Sequence, residues 1–504
     1  MSIISTRRHE IIEARERQLR LNELAVHGGR PYIAARLWRA PNETDVSWDG
    51  DPARGVAGRR ERACLVNDAG RIARKIEQYI FKAPARRDGA DEAFCADCTG
   101  TGEGIHEFMR GVCTAVTYGG WCWVQVDRAP FAVGEDGARV EPSLAERTPV
   151  RLVRWDAVDV PDWRLDADGA ISWLVTRSTV YDNSDPRAAA RRGVVTTLYE
   201  RVDGRVYVTE ETTLASLAPS CRTREEMPGL DRVPFVLVGR PSIRAWWFDD
   251  VENIQAQSLN LASSHNETLT NSVYPQIVLP LSLLNSLEAQ LREEGVNGER
   301  VVALVRELTI GRRTPIIESG EDKGVSRYIA PGGDLKLITE EIGRLRSLLF
   351  DSSGLALMNR ETRQVQSAEA KQFDQLDTNA TLGNRALVLQ DAERRIVALA
   401  RLFDPNFPPY EPVYPCKFDV VDVAALSQAV TTVLNLPDVP PLMRKATLRS
   451  AARILKELGA VSEGELEEID GEIDEAEDEP ALRAASRRTH SGTASSAFRA
   501  TRRP

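Results

Sequence analysis

Apolar residues recur three and four apart in one set of segments and alternate with polar ones in another, so the chain predicts both amphipathic helices and half-buried strands. In "ERACLVNDAGRIARKIEQYIF" (61–81), Leu65, Ala69, Ile72, Ile76 and Ile80 share one helical face. Residues 1–30 read as a charged helix ended by the breaker "HGGRP" at 27–31. Residues 31–60, rich in Gly, Pro, Asp and Arg, read as a loop or arm. "GIHEFMRGVCTAVTYGGWCWVQVD" predicts a helix to about Tyr118, a turn at Gly119-Gly120 and then a strand. "VRLVRWDAVDVPDWRLDADGAISWLVTRSTVYD" and "GVVTTLYERVDGRVYVTEET" predict strands around hairpin turns at "DADG" and "VDGR". "RVPFVLVGR" (232–240) predicts one strand more.

From residue 248 the pattern changes. "FDDVENIQAQSLNLASSHNETLTNSV" (248–273) predicts a long helix rich in Asn, Ser, Gln and Thr. A short strand, "YPQIVLP", a compact helix, "SLLNSLEAQLREE", and two short strands within "TPIIESGEDKGVSRYIAPGG" follow. "DLKLITEEIGRLRSLLFDSSG" (334–354) predicts a third long helix, with Leu337, Ile338, Ile342, Leu345, Leu348 and Leu349 on one side. The connector "LALMNRETRQVQ" (355–366) leads to "SAEAKQFDQLDTNATLGNRALVLQDAERRI", which contains no proline and one glycine, Gly383. That helix extends toward Phe403, about 55 Å at 1.5 Å per residue. Its middle, "DTNATLGN", is polar and small. Helices broken by prolines come after it. Residues 463–479 carry 11 acidic side chains and no basic one, whereas 481–504 carry six arginines and no acid. The tail composition predicts disorder.

The class is therefore α+β. A chain of 504 residues is too long for one ordinary core. No apolar run reaches the roughly 18 residues of a membrane span. The charged N-terminus has no apolar core of signal-peptide type, which predicts a cytoplasmic chain. Seven scattered cysteines suggest reduced thiols. A net charge of −10 argues against a chain that wraps nucleic acid with one basic face.

No catalytic constellation stands out. "CADCTGTGEG" (95–104) offers Cys95 and Cys98, half of a tetrahedral zinc shell, and no second pair completes it. No cofactor or metal is expected. No phosphate-binding G-x-x-x-x-G-K-[ST], no H-E-x-x-H and no G-x-S-x-G is present. His9, His27, His106, His265 and His490 are far apart. Asp156, Asp159 and Asp162, three apart, make a carboxylate site conceivable, with turn and solvent roles as the plain alternative.

Polar residues buried in a helix are expensive unless each is hydrogen-bonded. A helix packed against copies of itself around a water-filled channel avoids that cost. Ser263, Ser264, Asn266, Thr378, Asn379 and Thr381 suit such surfaces. A single-chain bundle turning its polar face to bulk solvent is the alternative.

The order of these segments resembles the portal, or head-to-tail connector, proteins of tailed double-stranded DNA bacteriophages. "GIHEFMRGVCTAVTYGGWCWVQVD" resembles the helix–Gly–strand unit of that family's wing, and "VRWDAVDVPDW…DGAISWLV" the strands that follow. "VENIQAQSLNLASSHNETLTNSVYPQIVL" resembles the descending stem helix with its exit strand, and "DLKLITEEIGRLRSLLFDSSGL" the ascending one. The resemblance spans roughly 60–475 and is one of pattern and order. It implies a portal fold with an α/β wing at 61–247, stem helices at 248–274 and 334–354, and a small α/β clip at 275–333. A tunnel loop at 355–366, a long kinked helix with a return strand at 367–422 and a helical crown at 423–480 complete it, with Gly383 as kink. Residues 1–60 and 481–504 lie outside it. It further implies a non-enzymatic homo-oligomeric ring of about twelve copies at one capsid vertex. Double-stranded DNA passes through the ring. The terminase large subunit, the major capsid protein and a head-tail adaptor are its partners. The virion is its place, with assembly in the host cytoplasm and no membrane involved. Asn359, Arg360, Arg363 and Gln364 would then meet DNA in the channel. Another capsid-associated structural or adaptor protein, and a metal-dependent nuclease or hydrolase, are the competing classes.

Overall fold

The structure is a computed structural model. It describes residues 6–39, 43, 55–128, 150–182, 187, 191–214, 220–221, 224–227, 229–273, 276–295, 316–318, 326–329, 334–354, 368–415, 418, 441–457 and 463–475. The chain divides into two compact units, Met1–Phe418 and Asp419–Pro504. The first mixes helices with three sheets.

Helix α1 (Glu10–His27) starts where the His9 ring accepts the Ile11 N–H at 3.2 Å and ends at Gly28. Residues 31–36, expected as loop or arm, instead belong to α2 (Gly29–Arg36). Pro31 sits in its first turn, where the missing N–H would have no helical partner anyway. Short α3 (Val56–Arg62) precedes α4 (Asp68–Ile80), whose N-cap Asn67 accepts the Gly70 N–H at 2.8 Å. The α4 stripe Ala69, Ile72, Ile76 and Ile80 is buried, as its spacing predicts. After α5 (Glu92–Ala96), α6 (Ile105–Gly119) stops at Gly120. With φ at 85°, Gly120 turns the chain directly into strand β1 (Trp121–Arg128).

Strand β1 is the centre of the unit. It pairs antiparallel with β2 (Val150–Asp156) on one side and β9 (Phe235–Gly239) on the other. Both its faces are covered. Cys122, Val124 and Val126 join the main core with α4 and α6. Trp121 and Trp123 join a second core with Ile12 and Leu19 of α1, Trp163 and Leu174. The N-terminal helix, which lies outside the span of the resemblance, is therefore a wall of this core. A six-stranded antiparallel sheet follows: β3 (Asp162–Leu165), β4 (Ile171–Asp182), β5 (Arg191–Val202), β6 (Arg205–Leu214) and β7 (Ser220–Cys221) in order, with β8 (Glu225–Met227) also on β6. Tight turns at Gly169 and Gly204 join its hairpins.

Helix α7 (Trp247–Val273) runs for 27 residues. Strand β10 (Gln276–Pro280) then pairs parallel with β11 (Ile316–Glu318) and antiparallel with β12 (Arg327–Ile329), with α8 (Leu281–Glu293) between them in sequence. Helix α9 (Leu335–Ser352) packs against α7. Helix α10 (Ala368–Phe403) continues unbroken through Gly383. Its stripe Leu382, Ala386, Leu389, Ile396 and Ala400 closes the main core over β1, β9, α4 and α6. The stretch 404–415, where a return strand was expected, makes one isolated antiparallel bridge, Arg86 to Val413. Pro412 and Pro415 lack the N–H groups a longer ladder needs.

The second unit pairs α11 (Pro441–Glu457) with α12 (Glu463–Glu475), joined by Arg449–Asp470 at 3.7 Å. Among the described residues no helix is long and apolar enough to cross a membrane.

Candidate functional site

Several polar side chains of α7 are answered within the chain, while Ser258 is buried without a hydrogen-bond partner and Ser264 is exposed. Arg15 of α1 grips both carboxylate oxygens of Asp249, at 2.9 and 2.8 Å. Asn22 donates to the same carboxylate at 2.8 Å and to the Tyr118 carbonyl at 3.0 Å. Glu252, fully buried, takes Arg36 at 2.7 Å and the Tyr32 hydroxyl at 3.2 Å. Gln255 accepts the Ala69 N–H and donates to the Ala25 carbonyl. Asn260 accepts the Trp38 N–H at 2.6 Å. Ser263, expected on a ring surface, is buried and meets Arg59 at 3.3 Å. Such pairing removes the cost of burying these groups. One signal existed in the sequence: Arg15 and Asn22 interrupt the buried α1 stripe Ile12, Leu19, Ala25 at helical spacing. Polar residues inside an apolar stripe require buried partners.

A second anchor holds α9 and its exit. Asp68 at the start of α4 takes Arg346 of α9 at 2.9 Å and Arg71 at 3.1 Å. Helix α9 ends at Ser352 with Ser353 as its C-cap, and Gly354 follows with φ at 70°, as "DSSG" predicts. Thr378 of α10, also expected on a ring surface, is buried and donates from its hydroxyl to the Gly354 carbonyl at 2.9 Å. The chain on either side of the connector is thus tied together across 24 residues. The connector residues Asn359, Arg360, Arg363 and Gln364 lie outside the described residues.

Away from the main core, large apolar side chains are open to solvent. Leu269 and Val273 at the end of α7, Leu281 and Leu283 on α8, Tyr328 on β12 and Leu337 on α9 are between 41% and 64% exposed.

The candidate chemistry of the sequence takes structural roles. Buried Asp162 pairs with Arg7 at 3.0 Å. Asp159 is pushed up to about 6, first by burial and then by Asp156 and Glu23. Burial and Asp156 raise Glu23 in turn. In "CADCTGTGEG", Asp97 accepts the Thr99 and Gly100 N–H groups at 3.2 and 2.6 Å, folding the glycines into a turn. Cys98 is buried with its thiol on the Glu103 carbonyl, and burial pushes it up to about 12. Among the described residues no group of three or more His, Cys, Asp or Glu is placed to hold a metal ion.

The buried end of α10 is fixed by Glu393, which takes Arg87 at 2.5 Å and the Tyr410 and Tyr414 hydroxyls at 3.1 and 2.6 Å. One turn and more before it, α10 borders a cleft of about 700 Å³ against α6, Gly239 and the start of α7. Trp246, Trp247, Val116, Leu387 and Val388 supply apolar wall, and Arg385, Arg240 and Thr381 polar wall. Nothing in the linear pattern singles out Arg385.

No protein-family model matches this chain, and no curated protein matches it. Among solved structures, a chain of the virion of the native gene transfer agent (GTA) particle is similar at TM-score 0.33 and 10% identity, over 72% of this chain and 83% of that one. A chain of the neck of the empty GTA particle computed with C6 symmetry gives 0.29 and 10%, over 72% and 84%. One from the neck of the native GTA particle computed with C12 symmetry gives 0.31 and 10%, over 73% and 86%. TM-scores this low establish neither the fold nor the function of this chain.

Proposed function

We propose that the chain is the subunit of a portal ring, the channel at one capsid vertex of a tailed double-stranded DNA phage or phage-like particle. DNA is packaged and ejected through that ring. The observation that carries this reading is the pair α7 and α9 with the small mixed sheet between them in sequence, exposing Leu269, Val273, Leu281, Leu283, Tyr328 and Leu337. A two-helix stem ending in a clip has this order. Apolar surface of this extent marks a site of association. The order of wing, stem, clip, connector and long helix read from the sequence supports the same assignment.

In this role the ring encloses DNA, the clip receives the terminase large subunit and later a head-tail adaptor, and the wing meets the major capsid protein. The connector lines the narrowest part of the channel. Arg360 and Arg363 there touch passing phosphates, and Asn359 and Gln364 offer neutral hydrogen bonds. A few such contacts per subunit exchange fast enough for sliding. The acidic balance of the chain opposes tight phosphate binding. Against a nuclease built on the aspartates stands the pairing of Asp162 with Arg7.

Mass photometry of the purified chain tests the ring. The expected species is about twelve times 55.9 kDa, with a central hole in negative-stain images. A strictly monomeric species across salt and concentration would overturn the assignment. Within a ring-forming protein, Arg360→Glu with Arg363→Glu should keep the ring and reduce the DNA retained in particles. Normally filled particles would remove the arginines from the channel role.

A further inference from the structure

The cleft beside α10 holds a cation that no acid among the described residues answers. The Arg385 guanidinium donates from Nη1 to Thr117 Oγ1 at 3.1 Å and lies over the Trp247 ring at 4.8 Å. Among the described residues it has no carboxylate partner. A guanidinium carries five N–H donors, so most of its capacity is unused. Burial lowers its pKa to about 10, which leaves it charged at neutral pH. Arg240, on the same cleft, also meets no carboxylate among the described residues. Asp391, the acid in the lining, is engaged by Arg395 at 2.6 Å.

Such a cation is costly to enclose without a countercharge. The chain has 75 acids against 65 bases, so its acids are in surplus. Elsewhere in this unit, enclosed arginines are matched: Arg15 by Asp249, Arg87 by Glu393. At the mouth of the cleft, Leu387 and Val388 are 50% and 38% exposed on the helix that carries Arg385. The open cleft thus presents an unanswered positive charge beside bare apolar side chains.

We propose that a carboxylate side chain of a second copy of this chain, carried on an apolar segment, enters the cleft and pairs with Arg385 while its flanks cover Leu387 and Val388. The proposal rests on the ring reading, in which each subunit presents its cleft to a neighbour and closure leaves none unfilled. Arg385 then acts as a lock that is complete only in the assembly. A bidentate pair of this kind adds geometric register to the apolar contact. Pairing makes assembly depend on salt more steeply than apolar contact alone.

The test uses the full chain and two variants. Arg385→Met keeps the volume and removes the charge. Leu387→Glu places an acid on the exposed lip, where folding tolerates it. Mass photometry across protein concentration and NaCl is read beside thermal unfolding of the monomeric fraction. The wild type is expected to form rings that weaken as NaCl rises. Both variants should need at least tenfold more protein for the same ring fraction, and Arg385→Met should lose most of the salt dependence. The Arg385→Met monomer should melt close to the wild-type temperature, since removal of a half-buried charge without an acidic partner offsets the lost contacts to Thr117 and Trp247. A melting temperature lowered beyond what loss of the Thr117 hydrogen bond costs, read beside Thr117→Val, would place the partner carboxylate within the same chain and overturn the proposal. Undiminished rings in both variants would overturn it too, while leaving the ring itself intact. If Arg385→Met fails to fold, Leu387→Glu decides alone. A wild type that forms no ring at all would sink the ring reading, and this proposal with it.

Discussion

Replacing Arg15 by Met tests whether α1 belongs to the body of the protein. The Arg15 and Asp249 side chains are 6% and 11% exposed, so both charges lie well inside. Arg15 supplies two of the four hydrogen bonds that Asp249 receives, at 2.9 and 2.8 Å. Asn22 and the Trp246 N–H supply the others, each at 2.8 Å. Methionine fills the volume but leaves the carboxylate without its countercharge. Stranding an enclosed charge in this way costs about 3–5 kcal/mol. The two surviving hydrogen bonds lower the expected loss to about 2–4 kcal/mol. Urea unfolding followed by tryptophan fluorescence reads the loss, because Trp121 and Trp123 share a core with α1. Adding Asp249→Asn to Arg15→Met removes the stranded charge and should restore about half of the loss or more. The single variant should also become sensitive to trypsin within residues 1–40. A loss below about 1 kcal/mol, or a double variant no more stable than the single, would refute the idea that this ion pair anchors the helix.

Gly239 has φ at 87°, and a Cβ there would strike the Gly120 carbonyl, so Gly239→Ala should destabilise by about 2 kcal/mol or more in thermal or urea unfolding. Asp159 holds its proton more tightly in the native state than in the unfolded chain, so its contribution is greatest below about pH 4 and is lost as pH rises through about 6. Asp156→Asn removes the neighbouring charge and should raise stability at pH 7 by roughly 0.5–1 kcal/mol while flattening the pH profile between 4 and 7. Cys95→Ser should leave the melting temperature nearly unchanged, and Cys98→Ser, within the core, should cost about 1 kcal/mol. Stoichiometric zinc in the purified protein, lost on changing both cysteines, would contradict the structural role given to that turn.

What the sequence made legible was local. The α4 stripe, the hairpins at Gly169 and Gly204, the turn at Gly120 and the extent of α10 all follow from periodicity and turn residues within a few positions of each other. The uses of the polar residues on α7 did not, because their partners are remote. Arg15 and Asp249 are 234 positions apart, and Arg59 and Ser263 are 204 apart. Composition alone showed that these side chains had to be satisfied, and it suggested neighbouring copies where the chain itself provides α1 to α3. Residues 31–36 were misread because a Gly-Gly-Arg-Pro run signals a break without showing that a helix starts inside it. Arg385 illustrates the opposite limit: its character is the lack of an acidic partner among the described residues, which only three-dimensional proximity reveals.

The bond from Thr378 to the Gly354 carbonyl has a consequence for how this protein can change over evolutionary time. It fixes two posts, and the residues numbered 355–367 have only to span them. Chain between fixed posts is cheap to lengthen, at about 0.6 kcal/mol for each doubling of its length. Insertions, deletions and charge changes there leave the helices on both sides in place. Sequence between the posts can thus change while the scaffold on both sides stands still.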